Sequence, residues 1–327
     1  MNLSCEKIAK VTRPQESLLQ STSKETGPLS VALKTRERDG RAGAAEGKTL
    51  ISGDGWRVVD VLCTCGPADR PFEERYWSVA VSLVLSGSFA YRTSLGSVLM
   101  SPGSWLLGNV GGTYECSHEH GHGDRCLSFQ FDPALFDHVA RDAGLSAARF
   151  GSNRIPPMRK VAPLAARAIS ALDGNDSFEE VALEAAATAL RIGSDSGHCE
   201  QAVAPRDRTR IVDVLHHLEH DASRVRRLED LSKLAGLSRY HFLRVFKAVT
   251  GVTPHQWLIR TRLREAARRL ARGEEAVTDI ALDVGFDDLS NFIRSFHSEF
   301  GMSPGLYRTA RPALRTNGAK DSRSTAL

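Results

Sequence analysis

The spacing of apolar residues changes twice along the chain. The first patterned segment has the alternation typical of short strands. Between Gly53 and Phe131, β-branched and aromatic runs alternate with Gly, Pro and Ser. This pattern is typical of β-strands separated by tight turns. It predicts six strands of a barrel or sandwich: Trp56 to Leu62, Val79 to Leu85, Phe89 to Arg92, Ser97 to Met100, Ser104 to Leu107 and Cys126 to Phe131.

The spacing becomes helical after residue 133. Val161, Leu164, Ala165 and Ala168 share one face of a helix, and the sequence from Ser177 to Glu180 forms a capping box that opens an alanine-rich helix. Two helices are therefore predicted to follow the barrel, and we expect helices 158–192 to mediate dimerisation. Residues 1–48 are polar with little periodicity, which favours a mobile tail.

These changes divide the chain into five segments. They are a mobile tail at 1–48, a sensory and dimerisation domain at 49–195, a linker at 196–205, a helical domain at 206–312 and a second tail at 313–327. The predicted fold class is α+β multidomain, with an N-terminal β-barrel followed by helices and a C-terminal all-α domain. Gly96 and the Pro102–Gly103 pair make the barrel resemble a cupin, so the expected barrel is cupin-like.

The helical domain contains an internal repeat. Residues of the segment that begins at Phe242 recur 50 positions later, while residues upstream of it recur at an offset of 49, so the second copy has one extra residue in its turn. The recurring pairs are Phe242 and Phe292, Arg244 and Arg294, Phe246 and Phe296, Pro254 and Pro304, Leu231 and Ile280, and Gly236 and Gly285.

Each copy has the pattern of a helix-turn-helix unit. In the first, Gly236 permits the positive φ that ends one helix and Ser238 caps the next. Helical periodicity then buries one face of each second helix, including Ile293 in the second copy, and turns donors outward. These outward residues, suited to base edges and phosphates, are Arg239, Tyr240, Leu243, Arg244 and Lys247 in the first copy and Ser290, Asn291, Arg294 and His297 in the second.

A long helix is predicted to join the two copies. Thr253 caps it, Pro254 opens it, and it runs to about Arg272. Such a helix of ~19 residues is about 28 Å long, close to the ~34 Å of one DNA turn. Its many arginines favour an ion-paired, solvated helix and phosphate contact equally, whereas Trp257 and Tyr307 fit core packing best.

Composition and charge narrow the function. Apolar residues make up 41% of the chain and charged residues 25%, which are globular values. The net charge is +4, but residues 206–315 hold 20 basic against 14 acidic residues, so about six positive charges concentrate there. This asymmetry points to a polyanionic partner. We expect a cytoplasmic, nucleoid-associated protein with no membrane partner, because no apolar run approaches the ~20 residues of a span and no apolar signal segment opens the chain.

The two copies resemble the DNA-binding domain of the AraC/XylS family of bacterial transcription regulators. The resemblance covers roughly Arg206 to Arg311 and rests on LEDLSKLAGLSRYHFLRVFKAVTGVTPHQWL and VTDIALDVGFDDLSNFIRSFHSEFGMSPGLYR. It implies double-stranded DNA as a partner, read by Arg239, Tyr240, Leu243, Arg244, Ser290, Asn291 and Arg294, although Leu243 departs from the family's usual polar residue. It also implies contact with RNA polymerase, a possible homodimer and a possible small-molecule effector.

The barrel carries one further candidate site. Cysteine, histidine and aspartate alternate from Cys116 to Cys126, which on a strand would place them on one face as metal ligands. Gly121 and Gly123 instead favour a solvated hairpin tip, so both interpretations stay open. The candidate ligands are Cys116, His118, His120, His122 and Cys126. A metal- or thiol-based sensor regulator is therefore the alternative function, and Cys63 and Cys65 could join Cys116 and Cys126 in a four-thiol site or be inert and buried.

Catalysis is not expected. Gly96 and the Pro102–Gly103 pair resemble part of a cupin motif, but the histidine that a metal-binding cupin places after that pair is absent, since Ser104 to Asn109 follow. We accordingly predict no cofactor and no enzymatic activity.

Overall fold

The computed structural model describes residues 27–71, 73–145, 147–194, 203–220, 222–223 and 227–309. Most of the predicted linker, the predicted tail at 313–327 and the first 26 residues lie outside these ranges. No helix in the described ranges is both long enough and apolar enough to span a bilayer.

The N-terminal domain is built on two antiparallel sheets. The larger sheet has the order β1-β2-β9-β4-β7-β10 and the smaller one β3-β8-β5-β6. The strands are β1 (Ala45–Gly53), β2 (Trp56–Cys63), β3 (Glu73–Arg75), β4 (Val79–Ser86), β5 (Phe89–Thr93), β6 (Gly96–Met100), β7 (Trp105–Gly108), β8 (Thr113–Ser117), β9 (Asp124–Phe131) and β10 (Arg154–Ile155).

The two sheets face each other across an apolar core. Val84, Leu106 and Cys126 of the larger sheet pack with Phe89 and Tyr91 of the smaller one. All six predicted strands are present, and the predicted fold class is confirmed.

The structure differs from the predicted tail between residues 28 and 48. Helix α1 (Pro28–Asp39) buries none of its residues, and β1 lies at the sheet edge with every residue exposed except Leu50, which is half-buried. Neither element has the apolar periodicity that sequence patterns detect. Arg36 fixes the helix by donating to Asp69 Oδ2 at 2.8 Å. Strands β3 and β8 went undetected for the same reason, since all three residues of β3 are exposed and no residue of β8 is fully buried.

Three helices cover the larger sheet and its end: α2 (Pro133–Asp142), α3 (Ala162–Leu172) and α4 (Phe178–Gly193). The capping hydroxyl predicted at Ser177 accepts from the Glu180 backbone N–H. Ala182, Ala185 and Ala186 of α4 are fully buried in the core that contains Phe129 and Phe131. Small side chains therefore let this helix lie close against the sheet.

The C-terminal domain is helical throughout its described residues. Its helices are α5 (Pro205–His220), α6 (Leu228–Leu234), α7 (Arg239–Thr250), α8 (Pro254–Arg272), α9 (Val277–Asp283), α10 (Leu289–Phe300) and α11 (Pro304–Thr309). Each copy of the repeat has its own core. Trp257 packs with Phe242 and Phe246 in the first, and Tyr307 packs with Phe292 and Phe296 in the second, as predicted for both aromatic residues.

The two domains touch along α3, β6 and the segment around Arg154. Ala162 and Ala166 of α3 join the second core, and the buried guanidinium of Arg154 donates to the carbonyls of Leu99 and Val249, both at 2.7 Å. Arg260 of α8 also donates to the Pro157 carbonyl at 2.9 Å. Contacts of this kind give a change in one domain a physical route to the other.

Candidate nucleic-acid interface

The first helix-turn-helix unit consists of α6 and α7. Gly236 has φ of 62°, a left-handed conformation that an L side chain adopts only with strain, and it turns the chain after α6. Ser238 Oγ then accepts from the His241 backbone N–H at 3.4 Å and caps α7. Both predicted turn residues therefore do what the sequence indicated.

Helix α7 has one buried and one exposed face. Phe242, Val245 and Phe246 are buried in the first core. The predicted DNA-reading residues lie opposite: Arg239, Tyr240, Arg244 and Lys247 are exposed and Leu243 is half-buried. Tyr240 is 79% exposed, an unusual state for an aromatic side chain without a partner.

Helices α9 and α10 form the second unit, with a turn one residue longer than the first. Gly285 has φ of 97°, and Asp288 Oδ1 accepts from the Asn291 backbone N–H at 2.7 Å. Ser290, Asn291, Arg294 and His297 are all exposed on α10, as predicted. The expectation for Ile293 was wrong. It is 38% exposed because it follows the buried Phe292 directly and so lies about 100° around the helix from it.

The exposed cations of both units are available to a ligand. Within the described ranges, no ion pair with a carboxylate is seen for Arg239, Arg244, Lys247 or Arg294, and the Arg244 guanidinium lies 3.3 Å from the His241 ring nitrogen. Unpaired cations on an exposed helix face favour anionic partners, because no internal carboxylate competes for them.

The arginines of α8 behave differently. Several of them pair with carboxylates of the chain, as the ion-paired interpretation expects, and contact with phosphate stays a prediction. Arg260 pairs with Glu299 at 3.0 Å, Arg268 with Glu265, and Arg269 with Glu275 and Asp283.

The candidate metal ligands of the barrel lie on a hairpin, and the structure separates them. Cys116 lies on β8 and Cys126 on β9, but residues 118–123 form the turn between the strands, so the strand alternation is lost. His120 and His122 face α5, where the His122 and His216 rings stack at 3.6 Å. Burial lowers the pKa of His120 to about 4.

Only His118 of that set enters a compact group of donors. Its ring nitrogen, Cys63 Sγ and Cys65 Sγ all lie within 4.8 Å of one another. Cys116 and Cys126 line the same cavity outside this group. Cys63 and Cys65 are far from His118 in sequence, and only the pairing of β2 with β9 brings them together.

A cavity of about 160 Å³ lies between the two sheets beside this group. Its wall is aromatic on one side, where the rings of Tyr76 and Tyr114 stack at 4.3 Å and the hydroxyls of Tyr76 and Tyr91 lie 3.0 Å apart. Ser82, Ser128 and Gln130 add polar groups. A mostly apolar cavity with a few polar groups is the usual form of a small-molecule site.

Comparison with known proteins agrees with this geometry. A family model described as a helix-turn-helix domain matches residues 231–310. The transcriptional activator NphR of Rhodococcus is 37% identical over 132 residues, which cover 40% of this chain and 38% of NphR. The chain thus spans well under half the length of that relative. The HTH-type transcriptional activator AarP of Providencia stuartii is 33% identical over 98 residues, covering 30% of this chain and 73% of AarP.

A solved structure is similar over the same region. The DNA-binding domain of AdpA, determined in complex with a target DNA, is 31% identical and covers 33% of this chain and 97% of that one, with a TM-score of 0.32. Two helix-turn-helix units on one rigid connector define a DNA-binding transcription regulator. The chain belongs to the AraC/XylS family of these regulators.

Proposed function

We propose that this regulator binds DNA sequence-specifically, with α7 and α10 reading adjacent major-groove segments of one duplex. One observation carries the proposal: both helices bury their aromatic faces in separate cores and expose matching polar faces, with Arg244 and Arg294 at equivalent positions. The 19-residue helix α8 joins the two units, and at 1.5 Å per residue it spans about 28 Å. That length suits two readers about one helical turn apart.

Selection of bound sequences from random duplexes by the full chain, at physiological salt, tests the two-reader arrangement. Two enriched blocks separated by about one turn of DNA, ~10 base pairs, are expected. A single block would restrict reading to one unit, and the absence of any enrichment would reduce the interaction to charge-driven binding.

The two arginines supply a sharper test. Arg244→Ala and Arg294→Ala should each weaken binding to the selected site by about 1–3 kcal/mol and relax base preference in one block only. Arg191→Ala, at an exposed position on α4 of the other domain, is the matched control and should change nothing. Equal weakening on random DNA would make the two arginines phosphate contacts instead.

Control by a small-molecule effector in the inter-sheet cavity is the second part of the proposal. The stacked rings of Tyr76 and Tyr114 favour an apolar or aromatic ligand, and the serine hydroxyls favour a polar group on it. Such a ligand shifts DNA occupancy only if it binds the DNA-competent arrangement with a different affinity. Filling the cavity with Ser128→Leu should abolish the response of DNA affinity to small phenols and aromatic acids, and a retained response would place the effector elsewhere.

We also propose that the protein forms a homodimer and contacts RNA polymerase. Membership of the family is the support for both proposals. Helices α3 and α4 bury most of their apolar residues within the chain, and Leu183 is 40% exposed on α4. A dimer contact through these helices would therefore centre on the face around Leu183. Sedimentation equilibrium of the wild type and of Leu183→Glu tests this contact. The same molecular mass for both proteins would exclude the face around Leu183 as the dimer interface.

A further inference from the structure

Three buried donors from distant parts of the chain meet at one end of the inter-sheet cavity. Cys63 ends β2, Cys65 follows two residues later, and His118 begins the turn after β8. The two cysteines are 7% and 6% exposed, and the His118 side chain is 4% exposed. We propose that Cys63, Cys65 and His118 bind one metal ion of the Zn²⁺ class in the cavity wall.

The spacing of the donors suits a tetrahedral ion. With Zn–S bonds of about 2.3 Å and Zn–N bonds of about 2.0 Å, neighbouring ligand atoms in a tetrahedron lie roughly 3.5–3.8 Å apart. Cys63 Sγ and His118 Nε2 are 3.5 Å apart, and every pair in the group lies within 4.8 Å. Rotamer adjustments of about 1 Å would close the set. Thiolate and imidazole donors together favour Zn²⁺ over harder ions such as Mg²⁺ or Ca²⁺.

Burial makes the free thiols poor thiolates. Desolvation, with the nearby Asp124 carboxylate as a smaller contributor, raises the pKa of Cys63 far above its ordinary value, and burial also raises the pKa of Cys65. A bound cation reverses the balance. Two S–H protons pass to solvent, two metal–thiolate bonds form, and the two negative charges offset the 2+ ion.

The Asp124 carboxylate would lose a hydrogen bond when the metal ion binds. Its Oδ2 lies 2.7 Å from His118 Nε2, and both side chains are buried. When that nitrogen coordinates a metal, its proton passes by way of solvent to Nδ1, so that Nε2 no longer donates to the carboxylate and Asp124 is released. The freed carboxylate, beside His118, is then an oxygen donor available for a fourth coordination position.

The same hairpin reaches the DNA-binding domain. Glu119, next to His118, pairs with Arg208 of α5 at 3.0 Å, and the His122 ring stacks on His216 of α5. Helix α5 in turn packs into the first helix-turn-helix core through Ile211 and Leu215. A metal ion that fixes His118 therefore fixes the contact between the barrel and the first DNA reader. The regulatory consequence of the site rests on the proposed function, whereas metal binding itself does not.

Co²⁺ titration of the full chain, reduced and metal-free, tests the site without DNA. One equivalent should bind with a thiolate-to-cobalt charge-transfer band and the visible bands of tetrahedral cobalt. Cys63→Ser, Cys65→Ser and His118→Ala should lose both. Cys116→Ser, which replaces a half-buried thiol that lines the same cavity, is the matched control and should keep them. Titration in a Cys5→Ser, Cys199→Ser background removes the two cysteines outside the described ranges.

X-ray absorption spectroscopy at the zinc edge, on the unsubstituted protein loaded with Zn²⁺, tests the site even if the variants fail to fold. Two sulfur neighbours at about 2.3 Å and one imidazole nitrogen are expected. The proposal is overturned by a coordination shell without sulfur, by retained binding in Cys63→Ser, or by loss of binding in Cys116→Ser. A protein that binds Co²⁺ as expected but selects no DNA sequence would refute the proposed function and leave the metal site intact.

Discussion

Arg262 is a buried basic residue of the DNA-binding domain, and its guanidinium binds carbonyl groups of the chain itself. It is 6% exposed on α8, and its guanidinium donates to the carbonyls of Ala222 and Gly285 at 2.8 and 2.7 Å. The first carbonyl precedes the first helix-turn-helix unit and the second lies in the turn of the other. One side chain therefore joins the two copies, and its planar fork is suited to reaching several acceptors at once.

Removing that guanidinium should destabilise the domain strongly. Each hydrogen bond to a charged group contributes about 1.5–3 kcal/mol, so Arg262→Ala should cost about 3 kcal/mol or more in urea unfolding of the full chain. Arg268→Ala on the same helix is the control, because its partially exposed pair with Glu265 contributes about 0–1 kcal/mol. If the two variants unfolded at the same urea concentration, Arg262 would not be what joins the copies.

The exposure of a side chain was predictable where the same residue type recurs at equivalent positions of both copies. The exposure of Arg244 and Arg294 follows from helical periodicity and was expected, whereas the burial of Arg262 depends on where two distant carbonyls lie. His118 was likewise a candidate ligand from the sequence. Its proximity to Cys63 and Cys65, however, depends on the pairing of β2 with β9. Local spacing carries no information about contacts made across a sheet.

At the scale of elements, apolar periodicity decided what the sequence could predict. Helices α4 and α8 start directly after their predicted caps, Ser177 and Thr253. The second turn has the predicted extra residue: four positions separate Val284 from Asp288, against three between Ala235 and Ser238. Helix α1 and strands β1 and β3 were missed because they bury almost nothing. Elements held by edge hydrogen bonds and ion pairs leave no hydrophobic signature.

At the scale of the whole molecule, the hairpin between β8 and β9 connects the proposed metal group with α5, which packs into the core of the first helix-turn-helix unit. The hairpin contacts α5 through the ion pair of Glu119 with Arg208 and through the stacked rings of His122 and His216. Beside it, the Gly87 backbone N–H donates to Glu219 Oε2 at 3.2 Å. Polar interdomain contacts rearrange more readily than a large apolar interface. The junction can therefore differ between metal-bound and metal-free states without unfolding either domain.

Linkage gives this coupling a measurable form. If Zn²⁺ changes DNA affinity by some factor, DNA must change Zn²⁺ affinity by the same factor, because both report one coupling free energy. Arg208→Ala removes the ion pair next to His118 without touching a metal ligand. It should leave Co²⁺ binding intact and bring the ratio of DNA Kd values with and without Zn²⁺, measured by anisotropy at fixed salt, close to one. Glu119→Gln should act alike because it breaks the same pair from the other side. If both variants kept the wild-type ratio, the signal would have to cross the domain junction elsewhere, through Arg154 or the contact of α3 with α8.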